Sequence, residues 1–298
     1  MMNNKKKKTL SMEERIFHII LIPVFFFFMF ICVYPFYYLF ICTISDNNQV
    51  SLGNVLFYPV GIHFKNYVDV LKHPNLLHSA GVTVLRVIVG TVSTLMANSY
   101  MAYFFTRQEM WARKVWYRII VASMYFSAGM IPVYLNNRML GLTNTFWIYI
   151  IPGLIDVYNM ILIKTSIEAA PPDLEESAYL DGAGYITRFL RIILPLQKPI
   201  LATTGLFTVV SHWNDFFTTK LYVTNTKIYT LQFVLYELLE QARAAAEQIR
   251  DMQDLTSQIT PKAMQMTMTA VVIIPIMCVY PFIQKFYVKG VMIGAVKG

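Results

Sequence analysis

Long apolar runs alternate along this chain with short polar stretches, and the runs have the length of a bilayer crossing. Residues 16–42, 79–105, 117–135, 144–166, 198–222 and 264–288 each read as mostly apolar. A spanning helix needs roughly 20 such residues. The pattern predicts an all-α membrane protein with six transmembrane helices. Residues 1–15 form an N-terminal tail, 16–288 the membrane domain and 289–298 a C-terminal tail. Ser11-Met12-Glu13-Glu14 fits a capping box that starts the first helix. Pro23 and Pro35 lie inside that helix, where membrane proteins tolerate proline because neighbours re-satisfy the backbone. Residues 43–78 read as a polar loop. Asn136-Asn137-Arg138 with Gly141 reads as a tight turn. In the long loop 223–263, Glu237 to Asp254 reads as an amphipathic helix, with Leu238, Leu239, Ala242, Ala246 and Ile249 on one face.

Composition agrees with lipid rather than water. The 298 residues are 56% hydrophobic and 14% charged, against ~25% charged in soluble domains. The run from Ile16 to Ile44 is too long for a signal-peptide core, so it reads as a retained span. Cys32, Cys42 and Cys278 lie in apolar runs with no paired spacing, so neither a disulfide framework nor a zinc site is expected. His63, His73 and His78 share the first outer loop at a spacing that matches no common metal site.

The formal charge is +8, and its distribution gives an orientation. One side of the six-span topology holds Lys5 to Lys8, Arg15, Arg107, Arg113, Lys114, Arg118, Lys164, Arg188, Arg191, Lys198, Lys285, Lys289 and Lys297. The other holds only Lys65, Lys72, Arg138, Lys220, Lys227, Arg243, Arg250 and Lys262. Positive residues accumulate in the cytoplasm, so both termini are placed there, in a plasma membrane. The basic excess then needs no nucleic acid, and Lys5 to Lys8 reads as an anchor to anionic lipid.

One cytoplasmic segment, 171–195, is neither span nor simple loop. Pro171-Pro172-Asp173 suits a helix start. Glu175 and Glu176 lie in its first turn, where the helix dipole favours negative charge. Leu174, Ala178 and Leu180 leave one face for packing. Gly182 and Gly184 permit a reversal that a β-carbon resists. Residues 185–194 read as a second helix, with Phe189, Ile192 and Ile193 on one side and Arg188 and Arg191 on another, ended by Pro195. The product is a helix–turn–helix elbow below the membrane. An ordinary interfacial loop is the alternative.

The spacing within that elbow resembles the E-A-A-x3-G-x9-I-x-L-P signature of binding-protein-dependent ABC importer permeases. Glu176-Ser177-Ala178 is followed by Gly182, Ile192 and Leu194-Pro195 at the same separations, and Ser177 alone departs, replacing an alanine. Phe64 to Tyr67, Trp213 to Phe216 and the tail Phe286 to Gly298 are similar to the maltose-type carbohydrate branch that serves complex oligosaccharides. The resemblance implies the type I ABC importer permease (MetI-like) fold, with the elbow as a cytoplasmic coupling helix docked on an ATPase. It implies coupling roles for Glu175, Glu176, Ser177, Ala178, Asp181, Gly182, Ala183, Gly184, Ile192, Leu194 and Pro195. It implies a second homologous permease, two ABC ATPase subunits and an extracytoplasmic sugar-binding lipoprotein that contacts the outer loop, whose part from Asp251 to Lys262 reaches the sugar cleft. The chain has no G-x-x-x-x-G-K-[ST] of its own. No cofactor is therefore expected on it, and ATP and magnesium belong to the ATPase subunits.

Polar residues inside spans are functional candidates. Arg86, Asp156, Asn159, His212, Asn214 and Asp215, with the aromatics Trp213 and Tyr222, are the candidates for a sugar path. Aromatic faces and amides suit sugar rings, though each residue also reads as helix–helix glue or an interfacial belt. Asp156 sits near mid-span, where an unpaired charge costs roughly 2.5 kcal/mol or more, and Arg86 is its candidate partner. Two other readings stand beside a sugar permease. The same fold can carry a non-sugar solute, or His212 and Asp215, three apart on a helix beside Ser211, can serve a membrane-embedded hydrolase.

Overall fold

The computed structural model describes residues 12–72, 74–171, 173–252, 262–263, 265–278 and 281. Expectations for Lys5 to Lys8, Ser11, His73, Pro172, the distal loop 253–261 and the tail 282–298 fall outside the described residues. Among the described residues the regular structure is entirely helical.

The first helix, α1 (Met12–Thr43), runs through both Pro23 and Pro35. It is apolar on every side and exposed over most of its length before Leu39, as expected of a helix that faces lipid or other apolar helices. Short helices α2 (Asn47–Ser51) and α3 (Lys65–Leu71) follow. The Asp46 carboxylate caps α2 by accepting the N–H groups of Asn48 and Gln49. Next come α4 (Leu76–Thr106), α5 (Arg113–Ser123), α6 (Met130–Met139), α7 (Val157–Glu168), α8 (Asp173–Leu180) and α9 (Tyr185–Arg188). A π-helical turn over Phe189–Ile193 leads into α10 (Leu194–Leu196). Then come α11 (Lys198–Asn214), α12 (Phe217–Tyr222), α13 (Leu231–Met252) and α14 (Gln265–Cys278).

Two helices, Phe17–Thr43 and Leu76–Thr106, are each long and apolar enough to cross a bilayer. The stretches Tyr185–Leu196 and Lys198–Asn214 meet that test together, bent by 83°. The other expected spans are built from shorter pieces. The third, expected unbroken over 117–135, parts between α5 and α6 at Met124 to Gly129, where Gly129 has φ +85°. Pro132 follows inside the first turn of α6, where its missing N–H costs nothing. Asn136-Asn137-Arg138, expected as a turn, closes α6 instead, and the reversal falls on Gly141 at φ +68°. The fourth, expected over 144–166, is a 3-10 turn at Phe146–Tyr149 followed by irregular backbone through Pro152-Gly153. It restarts only at α7. The fifth breaks at Asp215, between α11 and α12. Irregular backbone at membrane depth is tolerated where it is covered by protein or lines a cavity.

The chain packs as two compact units, one within Met1–Val70 and Ala246–Ala270 and the other within Leu71–Ala245 and Val271–Gly298. In the first, Cys42, Val50, Val55 and Ala263 form a buried cluster. The Asn66 amide donates to the Thr43 carbonyl at 3.1 Å, which ties the start of α3 to the end of α1. In the second, α4 is the central element, packed against α7 and α11. Its buried face is small and polar: Ser79, Thr83, Arg86, Gly90, Thr94 and Asn98. Its other face exposes Leu77, Val84, Ile88 and Val92. Small and hydroxyl-bearing residues let membrane helices approach closely and hydrogen-bond where apolar surface gives no driving force.

Candidate functional site

The elbow begins where α8 presents three carboxylates, Asp173, Glu175 and Glu176, in its first turn. Adjacent helical residues point about 100° apart, and the two glutamates separate accordingly. Glu176 faces out. Glu175 faces in, and its Oε1 accepts from the Tyr103 hydroxyl at 2.8 Å, from Arg107 and, at 3.4 Å, from Arg188. Arg107 lies 4.5 Å over the Tyr103 ring, and Arg188 lies 4.5 and 5.0 Å over the Tyr185 and Tyr179 rings. Two guanidiniums and three aromatic rings thus close around one carboxylate.

This corrects two expectations. Leu174 and Leu180 were expected on a packed face, but both are exposed, Leu180 at 80%. The inward hold on α8 comes from Glu175 instead. Arg188 and Arg191 were expected on one side of the second helix, but Arg188 is buried while Arg191 is exposed.

The turn itself follows the expected chemistry at one glycine. Gly182 has φ +80°, a left-handed conformation that disfavours a side chain. The Ala183 N–H returns to the Ala178 carbonyl at 2.9 Å. Gly184 caps α9 with φ −68°, so no left-handed backbone is needed there. Ser177, Asp181, Gly182, Gly184 and Pro195 are exposed, while Ala178, Ala183, Ile192 and Leu194 are half-buried. Pro195 does not end the second helix. A proline ring collides with the carbonyl four residues back, and the turn before it widens so that Leu194 N–H bonds to Phe189 O. The chain bends after Leu196 instead. Phe189 and Ile193 anchor the elbow in a core with Tyr103, Phe105, Met160 and Ile163.

The second candidate region is an open cavity of about 880 Å³ lined by α4, α6, α7, α11, α12 and the irregular stretch before α7. Arg86, Asp156, Asn159, His212, Asp215 and Tyr222 all line it. Trp213 and Asn214 do not. The Trp213 indole donates to the Val272 carbonyl at 3.2 Å, on another face of α11, and Asn214 is exposed.

The expected Arg86–Asp156 pair is not formed. Arg86 pairs with the Asp215 carboxylate, and its Nη1 also donates to the Asp215 carbonyl at 3.0 Å. Its guanidinium lies 4.5 Å over the Tyr149 ring. Asp215 is available because it ends α11, and its other carboxylate oxygen accepts the Thr218 N–H of α12. Asp156 caps α7 through the Asn159 N–H at 2.8 Å, and its own N–H is held by Asn98 at 3.0 Å. The two carboxylate oxygens of Asp215 thus accept from Arg86 and Thr218.

Sequence reading missed Tyr149, Asn98, Tyr103 and Arg107. Nothing local marks Tyr149 and Tyr103 among neighbours of the same kind, but Asn98 had a signal as a polar residue inside the second expected span. Arg107 had a signal, its position at the end of a span. The His78 ring meets the Lys227 carbonyl at 2.6 Å. Among the described residues no group of three or more His, Cys, Asp and Glu side chains is placed to hold a metal.

Gly90 is where α4 meets the His212 ring. A β-carbon there would stand 2.4 Å from Nε2. Gly90→Ala is expected to expel the ring from its seat and to destabilise by about 1–3 kcal/mol, the usual range for overpacking. Gly81, on the same helix, faces open space. Gly81→Ala is the control, and thermal unfolding in detergent should separate the two.

Residues 5–293 match the model of a family described as binding-protein-dependent transport system inner membrane component. Protein LplC of Bacillus subtilis (strain 168) is 35% identical over 268 residues, which cover 90% of each chain. The polygalacturonan/rhamnogalacturonan transport system permease protein YtcP of the same organism is 31% identical, covering 96% of this chain and 100% of its own. A crystal structure of a bacterial ABC transporter involved in the import of the acidic polysaccharide alginate aligns with a TM-score of 0.85 at 29% identity, covering 94% of this chain and 100% of that one.

Proposed function

We propose that this chain, which belongs to the family of binding-protein-dependent transport system inner membrane components, works as a permease subunit that carries an oligosaccharide inward through the Arg86–Asp215 cavity. The transport role follows from the family, and the sugar from the relatives' printed cargoes. In this reading the chain crosses the membrane six times with both termini in the cytoplasm. It pairs with a second permease to complete the pathway. Two ATPase subunits bind ATP and magnesium, and an extracytoplasmic binding protein delivers the sugar.

The observation that carries the reading is the elbow. It exposes an apolar and acidic tip, Tyr179, Leu180, Asp181 and Ile186, on a base fixed by Phe189 and Glu175. A soluble partner has something to grip, and the grip is connected to α4. Glu176 and the turn at Gly182 form the proposed contact with the ATPase.

Glu176→Lys inverts the charge of an exposed residue that makes no side-chain bond to another described residue. It should leave the chain in the membrane but reduce co-purification of the ATPase by about tenfold or more, and uptake with it. A gentle detergent pull-down with mass spectrometry reads both results. Full recovery of ATPase with the variant would remove Glu176 from the contact. Recovery of the wild-type chain alone would remove the importer reading itself.

A further inference from the structure

The end of α4 and the start of α5 are joined by a short turn and leave an open groove of about 410 Å³ between them. Met101 and Phe104 of α4 line one side, and Trp116 and Ile120 of α5 line the other. Trp111, in the turn, also lines it and is 80% exposed. The Phe105 and Tyr117 rings meet at 5.6 Å and hold the two helices together.

The groove has a polar end and an apolar end. Arg113, Trp116 and Ile120 stand at i, i+3 and i+7 of α5, which puts them on one face. Along that face a cation is followed by an indole and then by an aliphatic side chain, over about 10 Å at the helical rise. Arg113 is fixed at the polar end, because its Nη1 donates to the Thr106 carbonyl, at the end of α4, at 3.0 Å. Its guanidinium has further N–H groups to offer. Among the described residues no carboxylate pairs with it, whereas Arg107 is held by Glu175 and Lys164 by Glu168.

The surroundings favour a lipid with a negative headgroup. Lys114 and Arg118 add exposed positive charge on the neighbouring face of α5. Glu109 is the only acidic residue between Arg107 and Arg118, and it lines an adjoining pocket with Arg107. Exposed indoles such as Trp111 and Trp116 suit the headgroup depth of a bilayer, where an apolar body meets water. Cation, indole and apolar walls answer phosphate, glycerol ester and acyl chain in that order. A free phosphate would use Arg113 and leave the apolar walls uncovered. A zwitterionic headgroup would bring a cation of its own beside Arg113, Lys114 and Arg118.

We propose that this groove seats an anionic phospholipid, with its phosphate on Arg113 and an acyl chain along Trp116, Ile120 and Met101. The proposal rests on the transport reading for its orientation, which puts the groove at the cytoplasmic leaflet, where anionic lipids make the surface negative. The stretch of α4 that forms the wall also carries Tyr103, with Arg107 at its end, and these two residues hold Glu175 of the elbow. A seated lipid therefore braces the end of α4 on which the elbow rests.

The test titrates dioleoyl phosphatidylglycerol and dioleoyl phosphatidylcholine, which share their chains, onto the delipidated importer complex in detergent. Native mass spectrometry counts the bound lipid. Phosphatidylglycerol should bind about tenfold more tightly. Arg113→Gln should cut that preference about fivefold, which corresponds to the ~1 kcal/mol of one basic residue at an anionic surface, and Arg113→Lys should keep most of it. Lys114→Gln removes the same charge from another face of α5 and should cut the preference by about twofold at most. Glycerol 1-phosphate, a headgroup without chains, should not displace the lipid. Equal binding of the two lipids, an unchanged preference in Arg113→Gln, or equal losses in Arg113→Gln and either Arg113→Lys or Lys114→Gln would overturn the proposal. So would displacement by glycerol 1-phosphate, or a lipid that binds the isolated chain but not the complex, since a partner subunit then covers the groove. Failure of the transport reading looks different. The chain would then purify without ATPase or second permease, and the same titration onto the chain alone would still decide whether the groove takes the lipid.

Discussion

Asp215→Asn should destabilise the protein by about 3 kcal/mol, and Arg86→Met by distinctly less. The two residues make one ion pair, yet they stand in different places. Arg86 is buried at the crossing of α4 and α11, with its guanidinium over Tyr149. Asp215 is a quarter exposed and borders the cavity. Removing one partner of a buried pair typically costs about 3–5 kcal/mol because the other charge stays buried and unpaired. With Asp215 neutral, Arg86 is that stranded charge, and Tyr149 cannot replace a carboxylate. With Arg86 gone, Asp215 keeps the Thr218 N–H at 3.0 Å and can take water from the cavity. The double variant should recover much of the loss, since an apolar pair of similar volume is often as stable as a buried ion pair. Thermal unfolding of the four proteins in one detergent closes the cycle. Equal losses in the two single variants would show that the cavity does not hydrate Asp215.

Run length made the helical membrane class legible, and local spacing made the elbow legible. Both are short-range properties. The breaks at Gly129, at Pro152-Gly153 and at Asn214-Asp215 were less so, because an apolar run records composition and not backbone direction. Their signals were present. Glycine and proline punctuate helices, and Asn and Asp side chains compete for backbone hydrogen bonds. In membrane segments, however, the same residues also occur within intact helices, as Pro23 and Pro35 do in α1. Arg86, Asp156, Asn159, His212, Asp215 and Tyr222 meet in the wall of one cavity. Their pairing was not legible. Arg86 and Asp215 are 129 residues apart, and choosing between Asp215 and Asp156 requires knowing that α11 ends at one carboxylate while α7 begins at the other. The inward turn of Glu175 was hidden for the same reason, because its partners Tyr103 and Arg107 lie 72 and 68 residues away.

Glu175→Gln should leave the importer assembled and its ATPase running, while uptake falls by tenfold or more. The elbow has an exposed tip and a base held against α4. Glu176 and Leu180 are exposed and belong to the tip. Glu175 belongs to the base, where its carboxylate faces Arg107 at the end of α4 and Arg188 at the start of the second helix. Glutamine keeps the size and one acceptor oxygen but removes the charge. Arg188 is buried and its Nε already lacks a partner, so it is left without compensation and should withdraw from its seat against Tyr179 and Tyr185. The tip still offers its surface to the ATPase, but its displacement no longer reaches α4, which carries Arg86 at the cavity. Hydrolysis should therefore lose its dependence on the binding protein rather than stop. Measuring basal and binding-protein-stimulated hydrolysis beside uptake distinguishes this from Glu176→Lys, which should recover about tenfold less ATPase. If the Gln variant keeps both stimulation and uptake, the bond between α8 and α4 only stabilises the fold, and force must pass through the apolar contact of Phe189 with Tyr103.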